Sequence, residues 1–185
     1  MIRLIDKYNL RPISIVRWIC PPTGKLKLNT DCCSKGNPDP STNAAILRND
    51  QGCFISASCA FIGYSNNLIS ELRAIIIGLR LCRNQNHHEI IVESDCLPLI
   101  TMINNTNAHI PWILLPWWND FLLLRHSVDV HFQHIVREGN KVADALANFC
   151  CAAQISQDFY STSTLPPMVR GDIMLDKTGL PHVQM

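Results

Sequence analysis

Between residues 25 and 33, Leu26, Leu28 and Thr30 alternate with Lys25, Lys27, Asn29 and Asp31, the period-two pattern of a strand with two unlike faces. The turn-forming run Ser34-Lys35-Gly36-Asn37-Pro38-Asp39-Pro40-Ser41 follows it. The runs AAILRN and CFISASCAFIG, joined across Asp50-Gln51-Gly52, read as a hairpin that adds two antiparallel strands. Leu72, Ile75, Ile76 and Leu79 recur at i, i+3, i+4 and i+7, which predicts an amphipathic helix from about Ser70 to Arg83, closed by Asn84 and Asn86. IIVESD is a further strand, residues 97–106 a short helix, and Trp112 to Arg125 a second helix with Pro111 near its start. In that second helix Trp112, Leu115, Trp118 and Leu122 share a stripe expected to face the core. Val128, Val130, Phe132 and Val136 mark another strand before a last helix, Lys141 to about Gln154, N-capped by Asn140. The predicted order is βββαβααβα, an α/β fold with three antiparallel strands, then two parallel ones, in a mixed five-stranded sheet flanked by helices.

A chain of 185 residues with 47% hydrophobic content can bury one substantial core. The expected division is an N-terminal extension over 1–23, one domain over 24–155, and a partly ordered Ser-, Thr- and Pro-rich tail over 156–185. A net charge of +1 excludes a global basic field, so any nucleic-acid binding must come from local patches. The nine cysteines lack C-x-x-C spacing and lie mostly in apolar runs, so they read as buried thiols rather than disulfides or zinc ligands. The N-terminus has no uninterrupted apolar region, and no run is long enough to span a membrane, which points to an intracellular, reducing compartment.

Four acids stand where a chain normally spends an apolar residue: Asp31, Glu71, Asp95 and Asp144. Asp31 and Asp95 each end a strand-like run, so both emerge at the carboxyl edge of the sheet, where open α/β folds place ligands. Glu71 lies on the helical stripe of Ile75, Gly78 and Cys82, at the top of a core-facing surface. Acids converging there repel one another and raise each other's pKa unless hard divalent cations such as Mg²⁺ sit between them. The pattern reads as a metal site.

These residues fall in segments that together resemble the type-1 ribonuclease H domains, in particular those of plant genomes and plant retroelements. The resemblance is carried by WICPPTGKLKLNTD, SKGNP, SELRA, ESDC and HIVREGNKVADALAN, in that order, and extends to LPPMVRGDIMLDKTGLP. It implies a ribonuclease-H-like fold and hydrolysis of the RNA strand of RNA–DNA hybrids, with two Mg²⁺ ions roughly 4 Å apart that Mn²⁺ can replace. By the same resemblance Asp31 would bridge both ions, Glu71 and Asp95 would hold one, and Asp144 the other. Asn37 and Asn67 match positions that touch substrate, and His134 matches a histidine that aids water activation or product release.

Plainer readings stand beside these. Asp31 fits a turn, Asp95 a helix cap, Asp144 and Glu71 a first-turn acid, and Asn37 a Gly-Pro turn. His134 continues the Val130–Phe132 face, where a structural histidine is the simpler reading. The chain also departs from the family pattern. Cys32 stands where glycine usually follows the first acid, and Asp39 adds a negative charge near the expected phosphates. Residues 96–127 contain a single basic side chain, Arg125, which leaves Lys35, Arg48, Arg73, Arg137 and Lys141 as candidates for phosphate contact. The alternative reading is a catalytically weakened or inactive nucleic-acid-binding or interaction domain. A third, metal-storage or redox protein, rests on the cysteines alone.

Overall fold

The structure is a computed structural model that describes residues 15–34, 38–180 and 182–183. Its sheet has six strands in the order β6-β5-β2-β3-β4-β7. β2 (Leu26–Ser34), β3 (Asp39–Arg48) and β4 (Phe54–Ser65) form the antiparallel meander, and β5 (Ile90–Ser94) and β6 (Val130–His134) add in parallel beside β2. The sixth strand, β7 (Gln157–Phe159), pairs antiparallel with β4 and comes from the segment expected to be a tail. A separate two-stranded ribbon joins β1 (Ile15–Val16) to β8 (His182–Val183).

The central strand β3 is buried on both faces, because helices cover the sheet on either side. Ala45 and Leu47 pack with Leu28, Leu72, Ile75 and Leu79 under α1 (Asn67–Asn84), with α2 (Leu97–Asn104) and α3 (Leu115–Ser127) completing that side. Ala44 and Ile46 pack with Val142, Leu146, Val169 and Ile173 under α4 (Lys141–Ala153) and α5 (Pro167–Lys177). α1 begins three residues before the predicted start, because Asn66 caps it by accepting from the Leu68 amide at 2.9 Å. Gly78 lets this helix lie close on the sheet: a Cβ there would stand 2.7 Å from Leu28 Cδ2 and 2.9 Å from Ala45 Cβ. Among the described residues no helix is long and apolar enough to cross a membrane.

Four sequence expectations need correction. The predicted tail folds back, with α5 packed on α4 and Asp176 buried against Arg48. The stripe on the second helix holds only in part: Trp118 and Leu122 pack against the core, but Trp112 is 80% exposed and Leu115 is exposed, while Leu114, Phe121 and Leu124 are the fully buried residues. A short 3-10 turn at Trp112–Leu114 precedes α3 and resets the phase of the pattern, which a single helical register from Trp112 cannot reproduce. Asn140 occupies the N-cap position of α4, but its side chain is engaged with β2 and does not cap. Finally, Cys59 of β4 and Cys150 of α4 are joined as a disulfide, leaving seven free cysteines. The packing of α4 across β4 brings together residues 91 apart in the chain, a pairing no local spacing reveals.

Candidate active site

The parallel pairing of β2 with β5 runs as far as Thr30 opposite Ser94, so Asp31 and Asp95 follow as the next residue on each of two adjacent strands. Equal steps from a shared register put both side chains on one face at the carboxyl edge. Glu71 reaches the same edge from α1, two turns before Gly78. One carboxylate oxygen from each of Asp31, Glu71 and Asp95 lies within 4.8 Å of the others.

The hydrogen bonds at this cluster are one-sided. Asp31 Oδ1 accepts from the Cys32 amide at 2.7 Å, and Glu71 Oε1 accepts from the Cys32 thiol at 3.3 Å. Asp31 Oδ2, Glu71 Oε2 and Asp95 Oδ1 are buried and have no partner among the described residues. An unpaired buried carboxylate oxygen is costly, and three converging carboxylates that each hold one are a donor set that a hard cation satisfies. Burial, then the charges of Glu71, Asp95 and Asp144, raises the pKa of Asp31 well above the usual carboxylate range. Burial and the Asp95 charge push Glu71 up to about 8, and burial also raises Asp95.

Asp144 does not join the three in one cluster. It sits on the first turns of α4, where Asn148 Nδ2 donates to its Oδ1 at 3.0 Å and Arg137 Nη2 lies at 3.9 Å. It is nevertheless close enough for its charge to raise the pKa of both Asp31 and Asp95. His134, at the end of β6, is exposed rather than part of the Val130–Phe132 packing, and it pairs with Ser94, one residue before Asp95. Asp95 does not cap the following helix: Cys96 holds that position, and its amide bonds instead to Ser94 Oγ at 3.1 Å. Glu71 is in the second turn of α1, which removes the reading of a first-turn acid. Asn67 is exposed at the start of α1, and Asn37 lies outside the described residues, as does Lys35.

Two of the basic candidates change character. Arg48 is fully buried and cannot meet a phosphate, and Arg73 stacks on Trp117, 4.3 Å from its ring centre. Arg125 is turned inward, donating to the Ile103 carbonyl at 2.9 Å. Arg137, with its side chain 73% exposed, remains the cation at the mouth of the site, where its charge lowers the pKa of Glu71 and Asp95.

Sequence reasoning missed the layer beneath the acids. Asn29 and Glu93, each two residues before an acid on its strand, are buried and bonded at 2.9 Å, and Lys27 neutralises Glu93 at 2.8 Å. The signal is present in part, because Lys27, Asn29 and Asp31 alternate on one face of the strand, but nothing local names the partners that bury them.

The profile of the family described as reverse transcriptase-like matches residues 29–150. A provisionally named ribonuclease H protein of Arabidopsis thaliana is 26% identical over 167 residues, covering 89% of this chain. This chain spans only 26% of that relative's length. Among solved structures, the N-terminal RNase H domain of a Mycobacterium tuberculosis protein superposes with a TM-score of 0.64 at 26% identity, covering 70% of this chain and 94% of that one. RNase H1 from Halobacterium salinarum gives 0.62 at 24% identity, covering 71% and 100%. LC11-RNase H1, solved in complex with an RNA/DNA hybrid, gives 0.65 at 21% identity, covering 70% and 98%. The fold is that of type-1 RNase H, and the matched stretch contains Asp31, Glu71, Asp95 and Asp144: this chain belongs to the reverse transcriptase-like family.

Proposed function

We propose that this chain is a divalent-metal-dependent endonuclease that hydrolyses the RNA strand of RNA–DNA hybrids. The observation that carries this reading is the convergence at the carboxyl edge of the sheet of Asp31, Glu71 and Asp95, each of which also has a buried carboxylate oxygen with no partner among the described residues. Mg²⁺, or Mn²⁺ in its place, would supply a more acidic bound water and neutralise charge that develops on the phosphate. Asp31, Glu71 and Asp95 would hold the ion at the cluster, and Asp144, with Asp31, a second one. His134, exposed and paired with Ser94 at the end of β5, would exchange a proton with the water or the departing 3′ oxygen. Asn67, and Asn37 on the turn, would read 2′ hydroxyls, the groups that distinguish RNA from DNA. Arg137 would meet a phosphate at the mouth of the site.

The alternative, a binding domain with weakened catalysis, is favoured by one observation: the region between β5 and β6 offers no outward basic side chain besides the inward-turned Arg125. Binding then rests on few cations, so it is weak and its dependence on salt is shallow. Replacing Asp31 or Asp95 with Asn separates the two readings. The variants should fold, retain hybrid binding and lose cleavage; a wild-type protein that binds the hybrid in Mg²⁺ without cutting it would favour the weakened domain.

A further inference from the structure

The acids rest on a buried polar layer whose hub is Asn29. Its Nδ2 donates to Glu93 Oε2 at 2.9 Å and to Asn140 Oδ1 at 3.2 Å, and its Oδ1 accepts from Trp18 Nε1 at 3.1 Å and Arg48 Nη2 at 2.8 Å. All four hydrogen-bonding positions of the amide are therefore used. The three elements tied together carry three of the four acids, while Glu71 comes from α1. Asn29 is two residues before Asp31, Glu93 is two before Asp95, and the Asn140 carbonyl accepts from the Asp144 amide at 3.1 Å in the first turn of α4. Asn140 Nδ2 in turn donates to the Thr30 carbonyl at 2.9 Å, clipping the start of α4 to β2 next to Asp31.

Two members of this layer come from outside the family-matched stretch of 29–150. The Trp18 indole N–H also reaches Glu93 Oε2 at 3.1 Å, and its ring lies 3.5 Å from the Arg48 guanidinium. Asp176 of α5 meets Arg48 Nη1 at 2.6 Å, with both side chains only 1% exposed. A guanidinium at that depth persists only when its charge is balanced, so Asp176 is what allows Arg48 to bond Asn29. With every position of the Asn29 amide used, the network favours one geometry where an apolar core permits several.

We propose that Trp18 and Asp176 are positioning residues for the metal-binding acids: acting on Asn29 from the two flanking segments, they fix β2, β5 and the start of α4 at the spacing the carboxylates need. The inference rests on the function proposed above. It makes the flanking segments part of the working site, so that a fragment cut to the matched stretch would lack part of the support for its own acids.

The test uses the full chain. Trp18→Phe keeps an aromatic ring against Arg48 and removes the indole donor along with the second ring. Arg48→Met with Asp176→Leu replaces the ion pair by apolar side chains, an exchange that commonly preserves stability, while removing the donor to Asn29. Mn²⁺ affinity is measured by calorimetry, melting temperature in chelator, and hybrid cleavage across metal concentrations, with Asp31→Asn as control. The expected result is Mn²⁺ affinity weaker by about 10-fold in Trp18→Phe, measured well below its somewhat lowered melting temperature, with KM for the hybrid unaffected at saturating metal. The double variant should lose affinity to a similar degree. Should it fail to fold, Trp18→Phe decides alone. Wild-type Mn²⁺ affinity in Trp18→Phe overturns the inference while leaving the proposed function standing. Equal Mn²⁺ binding by wild type and Asp31→Asn would instead overturn the proposed function, and this inference with it.

Discussion

In Asp31, burial and the charges of its neighbours act in the same direction, and both favour the protonated carboxyl. Glu71, pushed up to about 8, behaves alike. In the absence of metal the folded state therefore binds more protons than the unfolded chain between the ordinary carboxylate range and about pH 8, and stability falls as pH rises through that window. A chelated sample should melt at progressively lower temperature from about pH 5 to pH 8. Asp31→Asn should flatten this slope, and Mn²⁺ should reverse it in wild type only; equal slopes in chelated wild type and Asp31→Asn would contradict the electrostatic account. Cys32 adapts to the same environment: its thiol faces Glu71 and donates to it, so the side chain that replaces the family glycine helps to orient an acid. Asp39, at the start of β3, has no such role in the cluster. Asp39→Asn should tighten hybrid binding by about two- to fivefold at low salt, the scale of an exposed charge interaction, with the gain vanishing at high salt. A gain independent of salt would show that charge is not the cause.

At the scale of elements, α1 sets where Glu71 arrives, and Gly78 sets how closely α1 lies on β2 and β3. Gly78→Ala gains helix propensity but forces a methyl into Leu28 and Ala45, so it should destabilise by about 1–3 kcal/mol, as overpacking does. Chemical denaturation would reveal this, and a stabilised variant would mean that the helix has room to move. α3 offers a contrast, because its core stripe is only in part the one the spacing predicts. Phe121→Ala should cost about 3–5 kcal/mol, whereas Trp112→Ala should stay within about 0.5 kcal/mol. The strands and α1 were legible because alternation and the i, i+3, i+4, i+7 pattern report burial directly. The phase of α3 was not, because Leu114 belongs to a 3-10 turn whose three-residue period breaks the helical count.

Over the whole molecule, what the sequence conveyed well was the set of acids and their placement at one sheet edge, since each interrupts an apolar run. What it could not convey was the partner of each buried charge. Arg48 and Asp176 are 128 residues apart and meet only after α5 has docked, so Arg48 looked like a phosphate ligand and α5 like part of a tail. A separation of 110 residues from Thr30 likewise hid Asn140, whose side chain serves β2 rather than its own helix. The fold gathers three acids at one edge, with Asp144 near enough for its charge to act on Asp31 and Asp95, and the buried layer beneath them draws on residues from both ends of the described chain. The most direct test of the central claim is a time course on an RNA–DNA hybrid labelled in the RNA strand, with wild type and Asp31→Asn, in Mg²⁺ and in chelator. The account predicts internal RNA fragments from the wild type in Mg²⁺ alone, with the DNA strand intact. Fragments that persist in chelator, or that Asp31→Asn produces equally well, would contradict it.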